Sequence, residues 1–452
     1  MPGDPLSHPL VEIARDLREK RTSARELVEA AIARHERFGE KLHAYSCWAP
    51  EQARAVAAAA DAAFAAGVSA GPLQGLPVSI KDLFAAAGYP CFAGSSRRLP
   101  ADPWEQDGPL VATLRRQLGV IMGKTHMVEF AFGGTGQNSH HGAPYNPWDA
   151  AAHRSVGGSS SGAGVSLLEG SALLAFGSDT AGSVRIPASM TGNAGLKVTI
   201  GRWSTNGVVP LSFTFDTPGL LARSVSDLAY GFAALDPAGI DPSAFIAQAG
   251  TRDLTGVRIG IGDRFLWRDC DPGIAETVQE AVDALVRAGA VARDFILPEA
   301  EAAYGVFLDG GLSAIELRSF LDRELPEWVD RLDPVIAPAV RSDTGRARPR
   351  RHARRPPVDR AGRCRRKAAY DRACGRAGTR HCGGPSWNAA VPRCLKPLFQ
   401  AGNSPLGRRR VTAIWKEDDD RRSGVRSRRT RLPHWLRRSA CERRRIRSPR
   451  HS

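Results

Sequence analysis

Residues 157–162 read Gly157-Gly158-Ser159-Ser160-Ser161-Gly162, and residues 179–187 read Asp179-Thr180-Ala181-Gly182-Ser183-Val184-Arg185-Ile186-Pro187, which sets Ser183 24 positions after Ser159. A serine beside Gly182 sits where the backbone can turn sharply and a substrate can come close. The N–H groups of Thr180, Ala181, Gly182 and Ser183 follow one another and can face one concavity, an arrangement that binds an oxyanion. There is no GxSxG elbow. Taken singly, each segment also reads as an ordinary Gly/Ser-rich loop, so the weight rests on what surrounds them. A phosphate-binding reading fails on spacing. Gly123-Lys124-Thr125 ends like a P-loop, but the glycine required five residues earlier is Leu118.

Outward from this centre, the flanking sequence alternates between helix and strand. Towards the N-terminus, Ser23 and Glu26 form a capping box, with Leu27, Ala30, Ala31 and His35 along one face behind it, and Ala53 to Ala66 is an alanine-rich helix. Leu76 to Ile80 is a short apolar run of strand type, Val111 to Leu118 reads as helix, and Gly119 to Met122 as a buried strand. Residues 133–162 are rich in Gly, Ser, Asn and Pro, a loop long enough to be functional. Further on, Val257 to Ile261 predicts a strand, and Asp271-Pro272 the start of a helix with Ile274, Val278, Val282 and Leu285 on one face. Gly289 ends that helix, and Ala290 to Leu297 is the next strand. The alternation predicts α/β layering around a mixed or parallel sheet.

Several of these segments together resemble the amidase-signature family. The matching stretches are Gly75-Leu76-Pro77-Val78-Ser79-Ile80-Lys81-Asp82, the two serine segments, and Gly195-Leu196-Lys197. Gly123-Lys124-Thr125, Glu129-Phe130, Asn146-Pro147-Trp148-Asp149, Gly201-Arg202 and Asp216 to Gly219 support them. The resemblance is dense over about 70–230 and looser over 10–70 and 250–340. It implies a mixed central sheet flanked by helices, with Ser183 as nucleophile, Ser159 as proton relay and Lys81 as terminal base. It also implies a cis peptide bond before Ser159, an oxyanion site at Thr180, Ala181, Gly182 and Ser183, and Ala131 in the acyl pocket. Lysine can act as the base only if burial lowers its pKa, and the apolar run before Lys81 is consistent with that. The sequence departs from the family at Ala181, where glycine is usual, and at Val198, where proline is usual.

The implied reaction is acyl transfer from a small-molecule carboxylic amide to Ser183, then hydrolysis to acid and ammonia or amine, with neither cofactor nor metal. His126, His140, His141 and His153 lie near the site in sequence, but their spacing matches no metal motif and structural roles are expected. Arg185 and Asp179 are expected to brace the nucleophile loop. A homodimer is compatible with the resemblance. The same family contains the glutamine-hydrolysing component of the tRNA-dependent amidotransferase, which releases ammonia from glutamine with partner subunits, and the sequence leaves that alternative open.

The charge is divided. Residues 341–452 hold 34 of the 63 Lys and Arg and 8 of the 47 Asp and Glu, a balance of +26, which leaves −10 for residues 1–340. The basic stretch has 31 Arg, 3 Lys and only 5 Leu, with no helical or strand register, so it cannot build a core. Three readings compete for it. A nucleic-acid arm accounts for the charge but not for the scattered Cys and Trp. A metal module from Cys364, Cys374, His381 and Cys382 has spacings that fit no CxxC-type site. GC-rich DNA translated out of frame accounts for the excess of Arg, Pro, Gly and Ala, and is favoured, with the switch near residues 338–346. The expected organisation is an amidase-signature domain over 1–340, incomplete at its C-terminal end, followed by a basic tail. A chain whose motifs survive while its activity is lost is the expectation of a different class. Cys47, Cys91 and Cys270 are widely spaced and suit a reducing compartment. No secretory signal is visible in the first ten residues, and no apolar run reaches the roughly 18 residues of a membrane span. A cytoplasmic protein is expected.

Overall fold

The fold was obtained as a computed structural model. It describes residues 4–341 except 150, 251–252, 263, 269, 271–272 and 309–310. All of these lie in the first of two units, Met1–Ser404; the second, Pro405–Ser452, falls outside the described residues, as does the basic stretch from 342 onward.

The frame is a six-stranded mixed sheet in the order β1-β3-β2-β4-β6-β5, made of β1 (Tyr45–Trp48), β2 (Pro77–Lys81), β3 (Val120–Thr125), β4 (Leu174–Asp179), β5 (Ala194–Lys197) and β6 (Thr217–Ala222). β2 runs parallel to both β3 and β4, while β1, β5 and β6 join antiparallel. Every residue of β2, β3, β4 and β6 is buried. A central strand covered on both faces needs continuous apolar sequence rather than alternation, and Val78-Ser79-Ile80 supplies it. The one polar member, Ser79, is paired at its Oγ with Ser166 Oγ (2.9 Å). The parallel run carries the C-terminal ends of β2, β3 and β4, and so Lys81, Thr125 and Asp179, to one edge of the sheet, where α/β folds place ligands.

Helices cover the sheet. The Ser23–Glu26 capping box opens the helix Ala24–Leu42, and Pro50–Ala65 and Pro109–Arg116 follow where the sequence predicts helix. Helix Ser161–Glu169 is buried along its whole length and packs with Ala175, Val184, Ala188 and Leu221 in a small apolar core. The predicted loop thus ends just before Ser161, because the serine run leads directly into this helix.

A separate parallel pair, β7 (Arg258–Ile261) and β8 (Val291–Asp294), flanks the helix Ile274–Arg287. The expected start of that helix at Asp271-Pro272 lies outside the described residues. Its apolar face differs from expectation: Ile274 and Val278 are exposed, and no residue of the helix is buried. A two-stranded sheet is too narrow to cover it. No described helix is long and apolar enough to cross a membrane, and Cys47, Cys91 and Cys270 are free thiols.

Candidate active site

Lys81 ends the buried strand β2 and is itself fully buried. Its Nζ donates to Ser159 Oγ (2.7 Å) and to Ser178 Oγ (2.9 Å). Burial pushes the Lys81 amine down to about 7, against the opposing pull of Asp216 and Asp179. A neutral amine keeps two N–H donors and gains a lone pair. It can therefore stay bonded to Ser178 while accepting the Ser159 proton over the same 2.7 Å.

The two serine loops are stitched together. The peptide bond Gly158–Ser159 is cis, Gly158 N–H donates to Gly134 O (2.8 Å), and Ser160 N–H donates to Ser183 O (3.2 Å). Gly182 has φ of +126°, a conformation that side chains rarely allow, so glycine is required beside Ser183. The Asp179 carboxylate holds the loop from below. It accepts from the N–H groups of Gly182 (2.8 Å) and Val184 (3.1 Å) and from the Arg185 guanidinium (Nη2, 2.9 Å). Despite its burial, the Arg185 cation and these N–H donors hold the Asp179 pKa below its ordinary value.

This bracing narrows the expected set of oxyanion donors. The Gly182 N–H belongs to Asp179, which leaves Thr180, Ala181 and Ser183 outside the carboxylate's reach. Ala131, Thr180, Ala181 and Ser183 line one cavity of about 500 Å3, together with Phe132, Ile186, Leu211 and Phe307; Gly182 is not in its lining. Ser183 is only 7% exposed, and Ser159 and Lys81 are fully buried, so the nucleophile candidate alone faces the cavity. A wider groove of about 920 Å3 beside β7 and β8, lined by Trp267, Glu276 and Phe295, shares no residue with it and contains no serine nucleophile.

The structure also brings in residues that the sequence does not single out. Ser178 is the second partner of Lys81. Asp216 accepts from Thr180 Oγ1 (2.5 Å) and from the N–H groups of Leu211 (2.8 Å) and Ser212 (2.9 Å), so it ties the loop after β4 to the loop before β6. Asp216 belongs to a stretch that carries the family resemblance, whereas no motif marks Ser178. The histidines have local partners: His126 Nδ1 meets Ser161 Oγ (3.1 Å), His141 Nε2 meets Ser95 O (2.8 Å) and His153 Nε2 meets Pro144 O (3.1 Å). Among the described residues no cluster of His, Cys, Asp or Glu could hold a metal ion. Lys124 of the Gly-Lys-Thr segment is fully buried 3.6 Å from Asp82, and serves the sheet rather than a phosphate.

A buried lysine thus stands behind two serine-bearing loops, one of which opens through Ser183 on a largely apolar cavity. The amidase family model matches residues 26–358, which passes residue 340 and enters the basic stretch. The chain is 51% identical over 332 residues to the 2-amino-5-chloromuconic acid deaminase of Comamonas testosteroni, a span covering 74% of this chain and 71% of that protein. It is 36% identical over 319 residues to the A subunit of the glutamyl-tRNA(Gln) amidotransferase of Anaeromyxobacter sp. (strain K), across 67% of this chain and 64% of that protein. A crystal structure of an amidase superposes with a TM-score of 0.66 at 32% identity, covering 74% of this chain and 73% of that one. The chain belongs to the amidase family, and its class is that of a C–N hydrolase.

Proposed function

We propose that the chain hydrolyses a linear carboxylic amide to an acid and ammonia or amine through an acyl-Ser183 intermediate. The observation that carries this reading is Lys81, buried, pushed down to about 7 and 2.7 Å from Ser159 Oγ, on a loop whose Ser160 N–H donates to Ser183 O (3.2 Å). In the first half-reaction Ser183 Oγ attacks the amide carbon. Its proton passes to Ser159 Oγ as the Ser159 proton passes to Lys81 Nζ. The N–H groups of Thr180, Ala181 and Ser183 receive the oxyanion. Return of the proton along the same path protonates the departing nitrogen and the C–N bond breaks. Water then adds to the acyl carbon by the reverse relay, and the acid leaves with Ser183 restored. No group outside the chain is consumed besides water.

The described lining of the cavity carries no charged side chain. An acyl group bearing a carboxylate or ammonium would lose its hydration there without compensation, so uncharged amides suit it better than free glutamine. The unit that carries the chemistry is residues 1–340, and residues 341–452 take no part in it. The test is ammonia release from a panel of uncharged primary amides set beside glutamine, each measured with Ser183→Ala. Turnover of uncharged amides that vanishes in the variant supports the reading; turnover that survives Ser183→Ala contradicts it, and Ser183-dependent turnover confined to glutamine contradicts the preference for uncharged amides.

A further inference from the structure

Glu129 is fully buried and lies just before Phe130 and Ala131, whose φ values of +45° and +59° are unusual for residues with side chains. Its backbone leads into the wall of the Ser183 cavity, which begins two residues later at Ala131. Glu129 O accepts from Phe132 N–H (3.0 Å), and Val128 N–H donates to Ser159 O (3.2 Å). Its side chain reaches elsewhere, to a segment 204 residues away: Oε2 accepts the N–H of Asp333 at 2.6 Å. Asp333 organises that segment. Its carboxylate accepts from Ser139 N–H (2.6 Å), Ser139 Oγ (3.0 Å) and Val335 N–H (2.8 Å). Its carbonyl accepts from Ile336 and Ala337 and starts the short helix Ala337–Arg341. Ala339 of this helix lines the same cavity as Ala131.

The second oxygen of Glu129 is the informative one. Oε1 stands 3.3 Å from His140 Nε2, and both atoms are buried without a hydrogen-bond partner among the described residues. One proton between them satisfies both. Burial pushes the Glu129 carboxyl up to about 7 and pushes His140 below its ordinary value, which favours a neutral carboxylic acid donating to a neutral imidazole. The other titratable groups acting on the pair are Asp333 and His141, and the Ser95 hydroxyl also faces the carboxyl. A carboxyl held in such a place costs more than an amide or an apolar side chain would, unless its two oxygens each have a task.

We propose that Glu129 is a positioning residue that sets the shape of the acyl pocket, by joining the wall at Ala131–Gly134 to the wall at Ala339 through Asp333 N–H and His140. The proposal rests on the reading of the Ser183 cavity as the acyl site. Glu129 touches no reacting atom; it acts through the two walls.

The experiment compares the full chain with Glu129→Ala, Glu129→Gln and Asp333→Ala in two measurements, steady-state hydrolysis of benzamide and amide hydrogen exchange. Glutamine can still accept from Asp333 N–H and donate to His140 Nε2, so Glu129→Gln is the conservative variant. In Glu129→Ala, KM for benzamide rises about tenfold while kcat stays within about threefold, the size expected for one lost buried hydrogen bond. Exchange accelerates together in 130–134 and 333–341 while β2 keeps its protection, and Glu129→Gln restores both measurements. Asp333→Ala reproduces the exchange pattern. A change in only one of the two segments, a fall in kcat at constant KM, or a glutamine variant that behaves like alanine overturns the proposal. If the wild-type chain hydrolyses no amide, the amidase reading fails while hydrogen exchange still decides whether Glu129 joins the two walls.

Discussion

Lys81 is where sequence, burial and chemistry meet. Its apolar strand removes it from water, desolvation makes the charged form costly, and the result is an amine that can take a proton near neutral pH. kcat/KM should therefore rise through about pH 7 and level off above it as Lys81 loses its proton; a flat profile between pH 6 and 8 contradicts the assignment. Asp216 raises the Lys81 pKa, so Asp216→Asn should move that limb to lower pH, and kcat should fall about tenfold as Thr180 loses its anchor. The stability signs follow from proton counts. In the unfolded chain Lys81 titrates near its ordinary value of 10.5, so between about 7 and 10.5 the unfolded state binds more protons and stability rises with pH. Glu129 behaves oppositely. Its folded value near 7 lies above its ordinary 4.5, so the folded state binds more protons in that window and the contribution is lost as pH rises from 4.5 to 7. Thermal melts from pH 5 to 10 on wild type, Glu129→Gln and Lys81→Met separate the two: the first variant flattens the acid side, the second the alkaline side. The residues of the Lys81–Ser159 pair can be placed from sequence because they sit in long, specific motifs. Ser178 and the Glu129–Asp333 contact cannot, since one is a lone serine in a strand and the other joins positions 204 apart.

At the scale of elements, the short apolar runs around residues 76–80 and 119–122 are legible because buried parallel strands need unbroken apolar sequence. The order β1-β3-β2-β4-β6-β5 is not, because local sequence says which residues form strands and says little about which strands pair. The helix Ser161–Glu169 explains why small residues fill its start. A Cβ on Gly162 would stand 2.0 Å from Ala44 O and 2.6 Å from His126 N. Both are backbone atoms that cannot swing aside, so Gly162→Ala should cost roughly 1–3 kcal/mol, read as a lowered urea midpoint. An unchanged midpoint means the helix is held less tightly than this packing requires. The helix Ile274–Arg287 shows the reverse case. Its apolar spacing is plain in the sequence, but burial depends on what lies opposite, and a two-stranded sheet leaves Ile274 and Val278 exposed. Ile274→Gln with Val278→Gln should change stability by no more than about 0.5 kcal/mol per site and reduce self-association in sedimentation.

The whole molecule joins two kinds of sequence. Residues 1–340 carry −10 and include the fold and site described above, whereas residues 341–452 carry +26. The family match passes residue 340 and ends at 358, close to the position where the composition changes. Translating the coding DNA across codons 338–346 in the other two frames should restore sequence of the amidase family downstream; if neither frame does, the out-of-frame reading of the tail is wrong. The amidase assignment itself stands or falls on Ser183. The most direct measurement is to treat the full chain with a serine-directed fluorophosphonate and map the adduct by mass spectrometry. One adduct on the peptide containing Ser183, absent in Ser183→Ala and slowed about 1000-fold or more in Lys81→Met, is the predicted result. An adduct on another serine, or a wild-type chain as inert as Ser183→Ala, contradicts it.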